Sequence, residues 1–246
     1  GEELPLVPSM NMLYGIEDIG AYSPFVMKRY HETIGLFGNV NDSNLAFSPT
    51  PQFVKEHLGL LNILDVSHIL SKSMLEHPVL QLLTYDEESQ TFLYRNQGDP
   101  TRAFFVSKVE TFSSWERLKS RLLQPGFNPR EVLLLEEPEW GKIEPQKMTS
   151  WGRPKVTLKR IQHTPGSELW RVNVDQAGFF VLTNMLYPGW TATLDGKPVP
   201  LLNAYGLFQS VPIAKAGQYQ IQFHYSPFDF GFAGRMKKVF GREEVK

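Results

Sequence analysis

The chain has 246 residues and a formal net charge of −1, from 25 basic and 26 acidic side chains. That balance supplies no long-range pull toward nucleic acid or anionic lipid. It holds no cysteine, which excludes disulfides, thiolate metal sites and cysteine nucleophiles together.

No stretch reaches the roughly 18 uninterrupted apolar residues that a membrane-spanning helix needs, and no signal-peptide pattern opens the chain. Gly1 reads as the scar of a cleaved tag, so a piece of a longer protein is expected.

In chain order, Ser23-Pro24 marks a first helix: a capping residue, then a proline whose missing N–H costs nothing there. Phe25, Val26, Tyr30 and Ile34 follow at helical spacing, and Gly35 suits the residue after the end. Thr50-Pro51 repeats the start, with Phe53, Val54, His57, Leu58 and Leu61 on one face. Segment 65–70 reads as a short strand, and 79–85 with 91–94 as a hairpin around a polar turn. Segments 103–109 and 132–135 are apolar runs of strand length. Between them, Ser113 and Glu116 form a capping-box pattern ahead of Trp115, Leu118 and Leu122, and Pro125-Gly126 ends that helix.

Beyond about residue 150 almost everything reads as strand. Trp170, Val172 and Val174 alternate with Arg171, Asn173 and Asp175, and 218–225 alternates polar and apolar without a fault. Trp190, Ala192 and Leu194 alternate with Thr191 and Thr193, and 179–186 is the nearly continuous apolar run of a central strand. Asp195-Gly196 is a strong hairpin turn, because a type I′ turn needs positive φ at both central residues. Pro198, Pro200 and Pro212 are expected at edges or bulges. These patterns predict an α+β part over 1–150, an all-β sandwich of jelly-roll or Ig-like type over 151–227, and a tail over 228–246.

Catalytic signals are sparse. His31, His57, His68, His77, His163 and His224 include no pair at the spacing of a helical zinc site, and His31-Glu32 lacks the second histidine of a zincin. The acidic clusters Glu2-Glu3, Glu87-Glu88 and Glu136-Glu137-Pro138-Glu139 read as solvated loops rather than a hydrolytic pair. Phosphate-binding glycine loops and the nucleophile elbow are absent. No catalytic residue, metal or cofactor is therefore assigned. Asn41-Asp42-Ser43 matches a glycosylation sequon, a pattern common by chance. The strongest constellation is aromatic and polar: Tyr187, Trp190, Asn203, Tyr205 and Phe208 crowd the Asp195-Gly196 hairpin. Trp190 and Tyr205 can stack on sugar faces while Asn203 bonds hydroxyls, making these three the candidate carbohydrate-binding residues. The competing reading makes the large rings sandwich core.

The run Tyr187-Pro188-Gly189-Trp190 leading into Asp195-Gly196, followed by Asn203 to Pro212 and Ala216-Gly217, resembles the C-terminal extracytoplasmic domain of the YfhO-like family of bacterial polytopic membrane proteins. Segments 11–22, 60–66, 100–106 and 125–129 fall in the same order, so the likeness spans roughly 5–227. Members resemble lipid-linked-sugar glycosyltransferases of the type-C fold. The resemblance implies a domain outside the bacterial cell membrane, tethered by helices of its own parent chain, with catalytic acids in membrane loops absent from this sequence. It implies a non-catalytic role, positioning an acceptor, a cell-envelope glycan or a partner protein. The chain departs from the family after Pro227, where a hydrophobic span is expected but Arg235, Lys237 and Lys238 intervene. The alternatives are a stand-alone carbohydrate-binding or lectin-like module and a structural brace for membrane helices.

Overall fold

A computed structural model describes Tyr14, Ile16, Ile19, Lys28–Ile34, Val40–Asn41, Ala46–Phe47 and residues 50–143 and 152–226. The Ser23-Pro24 helix start, the segment 11–22, the end of the sequon and the tail 228–246 lie outside the described residues or are only partly within them. The protein is mostly β with few helices. No helix among the described residues is long and apolar enough to cross a membrane.

Two compact units are present, Gly1–Arg102 with Trp115–Pro129, and Ala103–Ser114 with Arg130–Lys246. The expected cut at residue 150 falls inside the second unit.

The first unit holds α1 (Lys28–Ile34), the paired short strands β1 (Val40–Asn41) and β2 (Ala46–Phe47), α2 (Pro51–Ile63), β3 (His68–Ser71), β4 (Leu80–Asp86), β5 (Thr91–Asn96) and α3 (Trp115–Leu122). Thr50 caps α2 as its sequence dictates: its hydroxyl accepts the Phe53 N–H at 3.2 Å, with Pro51 in the first turn. Phe53, Val54, Leu58 and Leu61 are buried, while the helix kinks at His57 (φ −130°, ψ 29°). Helix α3 starts at Trp115, so Ser114 rather than Ser113 immediately precedes it. The Trp115 indole N–H donates to Glu32 at 2.7 Å, joining α3 to α1, and chiefly this bond lowers the Glu32 pKa. Strands β3, β5 and β4 form one antiparallel sheet in that order. The expected 79–85 and 91–94 hairpin is its β4–β5 pair.

The second unit is built on two antiparallel sheets. Its elements are β6 (Ala103–Val106), β7 (Lys108–Phe112), β8 (Val132–Glu136), α4 (Glu137–Trp140), β9 (Val156–Thr164), β10 (Ser167–Val174), β11 (Gly178–Met185), β12 (Trp190–Leu194), β13 (Lys197–Val199), β14 (Leu202–Ala204), β15 (Phe208–Ile213) and β16 (Gly217–Tyr225). One sheet runs β13-β12-β16-β10-β9 and the other β14-β15-β11-β6, while β7 and β8 pair in parallel. The single strand expected over 103–109 is divided at Ser107 between different sheets.

Alternation explains why the two antiparallel sheets share a core. Trp170, Val172, Val174, Ala192, Ile221 and Phe223 from the five-stranded sheet cluster with Ala103, Phe105, Phe180, Leu182, Val211 and Ile213 from the four-stranded one. The other face of the four-stranded sheet is buried too, because β8 and α4 cover it: Trp140 packs on Phe179, and the Tyr205 N–H reaches the Leu134 carbonyl at 2.9 Å. Burial on both faces is why 179–186 reads as a nearly continuous apolar run. Pro198 lies on the edge strand β13, and Pro212 lies beyond the last β14 pairing, so neither removes a ladder bond on its open side.

Asp195 (φ 50°) and Gly196 (φ 75°) make the expected turn between β12 and β13. Asp195 also accepts the Gln220 N–H at 2.7 Å, extending the β12–β16 ladder by a side chain. A Cβ at position 196 would meet nothing within 4 Å, so a substitution there is penalised by backbone alone. Gly196→Val should therefore cost about 1–3 kcal/mol in chemical denaturation, and Gly196→Asn much less, because asparagine tolerates positive φ. A wild-type midpoint for the valine variant would show that the turn carries no such constraint.

Candidate functional site

The β11–β12 connection sets one end of the two-sheet body. At this end β9 and β16 finish, β10 and β12 begin, and β15 starts opposite Met185, the last residue of β11. Side chains on the inward faces of both sheets therefore converge here, beside the Tyr187-Pro188-Gly189-Trp190 run.

That run is locked in place. The Trp190 N–H donates to the Tyr187 carbonyl at 3.4 Å and the Ser226 N–H to the Gly189 carbonyl at 2.9 Å. Gly189 has φ +101°, and a Cβ there would stand 2.6 Å from the Ser226 carbonyl oxygen. Only glycine fits both the conformation and the space. The result holds Trp190 against Tyr225, with ring centroids 5.3 Å apart. Burial, then Tyr225, raises the Tyr187 phenol pKa above its ordinary value. Each of the three is half-buried, leaving aromatic surface at the end of the body.

Polar groups line the inner layer at the same end. Glu168 is 1% exposed, yet lies on the inward face beside Trp170. Its Oε2 accepts the Trp170 indole N–H at 2.9 Å, and its Oε1 lies 3.4 Å from His163 Nδ1. On the facing sheet Asn203 pairs across the ladder with Gln209. The Asn203 backbone N–H donates to Glu139, whose carboxylate also binds Lys142 at 2.7 Å. Gln209 Nε2 donates to the Met185 carbonyl at 3.2 Å, but Gln209 Oε1 and Asn203 Oδ1 are buried acceptors with no hydrogen-bond partner. Acceptors left this way disfavour the interior unless a donor reaches them.

Of the three residues expected to hold a sugar, the structure brings Trp190 and Asn203 to this end and withdraws Tyr205. Tyr205 is fully buried on the other face of the four-stranded sheet, near Phe104, and its hydroxyl donates to the Val132 carbonyl at 3.2 Å. A ring without exposed surface offers no stacking face. Phe208 is 1% exposed and equally internal. These two rings follow the core reading; Trp190 does so only in part, because it packs against the core with one side exposed.

Sequence reasoning gave no site role to Tyr225, Gln209, Glu168 or His163. The signal for Glu168 was present: the alternation that buries Trp170 and Val172 also turns residue 168 inward. Among the described residues no three His, Asp or Glu side chains gather as a metal site. No family model, no curated protein and no solved structure matches the chain.

Proposed function

We propose that the chain is the extracytoplasmic domain of a YfhO-like bacterial polytopic membrane protein. In this reading its two-sheet body is a β-sandwich of jelly-roll or Ig-like type that binds a cell-envelope glycan without transforming it. The observation that carries the binding role is the pair of half-buried, packed rings Trp190 and Tyr225, with half-buried Tyr187 tied beside them by its carbonyl's bond to the Trp190 N–H. Aromatic faces suit the apolar faces of sugars. The domain would present acceptor glycan to catalytic loops elsewhere in a parent glycosyltransferase.

The test pairs two assays on the purified chain: turnover of a polyprenyl-linked sugar donor, and binding to an array of bacterial cell-envelope saccharides. No turnover is expected. Weak binding is expected, lowered roughly tenfold by Trp190→Ala, since an open site leaves little surplus after ordering costs. Robust turnover would overturn the non-catalytic role, and silence on the array would overturn glycan binding. A bracing role against membrane helices is the second reading, favoured by the exposed Leu82, Leu83 and Tyr85 side chains of β4.

A further inference from the structure

The inner face of a two-sheet core is an unfavourable place for a carboxylate. Burying one costs several kcal/mol unless its partners are well placed, and every other side chain on that face of β10 is apolar, namely Trp170, Val172 and Val174. Glu168 nonetheless occupies the face at 1% exposure. Satisfying the Trp170 N–H takes only its Oε2. Oε1 is turned to His163, whose side chain is 36% exposed on the edge strand β9. The pair thus links a buried anchor to a ring that reaches solvent.

Register places this ring beside the aromatic cluster. His163 pairs with Glu168, Glu168 with Phe223 and Phe223 with Ala192, forming one inward row across four strands. Tyr225 and Trp190 pair in the next inward row, two residues along. At about 4.8 Å per strand, β9 lies roughly 10 Å from β16 and 14 Å from β12. That separation suits an oligosaccharide lying across the sheet end better than a single sugar ring.

We propose that His163 is the polar determinant of saccharide binding at this end and that Glu168 is its positioning residue. Glu168 orients the ring from its Nδ1 side, 3.4 Å away, so that Nε2 is left to bond a hydroxyl of a neutral oligosaccharide stacked on Trp190. A partner at one ring nitrogen selects the tautomer and hence what the other nitrogen can do. The proposal rests on the glycan-binding reading above.

The experiment reads tautomer and binding separately. Imidazole nitrogen shifts of ¹⁵N-labelled protein, recorded near pH 8 where an ordinary imidazole is neutral, should show His163 protonated at Nδ1. Glu168→Gln should move it toward the Nε2–H form. On the cell-envelope saccharide array, His163→Gln should weaken binding about tenfold, the loss of one hydrogen bond, without a change in melting temperature comparable to that of Glu168→Gln. An Nε2–H tautomer in the wild type, or one indifferent to Glu168→Gln, would overturn the positioning role even if glycans bind. Loss of binding in Trp190→Ala but not in His163→Gln would overturn the role of His163 while leaving glycan binding intact. An array silent for the wild type would sink both, whatever the tautomer.

Discussion

Phe223→Ala should lower the unfolding free energy of the second unit by roughly 3–5 kcal/mol, the usual loss when a buried aromatic is cut back and leaves a cavity. Phe223 has no exposed surface, packs on Phe180 with ring centroids 5.9 Å apart, and sits between Glu168 and Ala192 in the ladder. Its sequence neighbour Gln222 faces solvent, and Gln222→Ala should change stability by no more than about 0.5 kcal/mol. Both sites lie on one strand, so local backbone effects are shared and the contrast isolates burial. Equal losses in urea titration would mean that alternation along β16 does not report the core.

That contrast was readable from sequence because β16 has one wet face, and a period of two is then sufficient. The same logic located β10, whereas the β4–β5 hairpin was legible from its polar turn and the Asp195-Gly196 turn from its residue types. It faltered where burial does not alternate. Strand β9 is an edge strand with most side chains exposed, so its Lys159, Arg160, Gln162 and His163 carry no apolar rhythm. The run 103–109 looked like one strand because each residue from Ala103 to Val106 is buried; nothing local reveals that Lys108 starts a strand in another sheet. That division also carries β6 to β11, more than seventy positions along the chain. The candidate site was half legible for a related reason. Composition drew attention to Trp190 and Asn203, but whether a ring lies inside or at the rim depends on layers contributed by β8 and α4, which no periodicity in the 187–212 region encodes.

Tyr205 shows the consequence most sharply. Tyr205→Ala should cost about 3–5 kcal/mol, in line with other buried aromatic truncations, and any loss of sugar binding it causes should follow loss of fold. The residue takes positive φ (55°), unusual for a bulky side chain, in a turn with Gly206 at 70°. What holds it there is β8: the Tyr205 N–H bonds Leu134 and its hydroxyl bonds Val132. Tyr205→Phe keeps the ring and removes only the second bond, so about 1–2 kcal/mol should be lost. A further signature follows from burial, which raises the phenol pKa well above its ordinary value. The folded state keeps this proton after the unfolded chain has released it. The contribution is therefore complete below about pH 10 and declines as pH rises above it, by about 1.4 kcal/mol per unit, until the folded-state pKa is reached. Tyr205→Phe should remove that slope of one proton from alkaline unfolding while the other tyrosines titrate as before. An unchanged slope, or a Tyr205→Ala protein that melts like the wild type yet no longer binds the saccharide array, would return Tyr205 from the core to the ligand face.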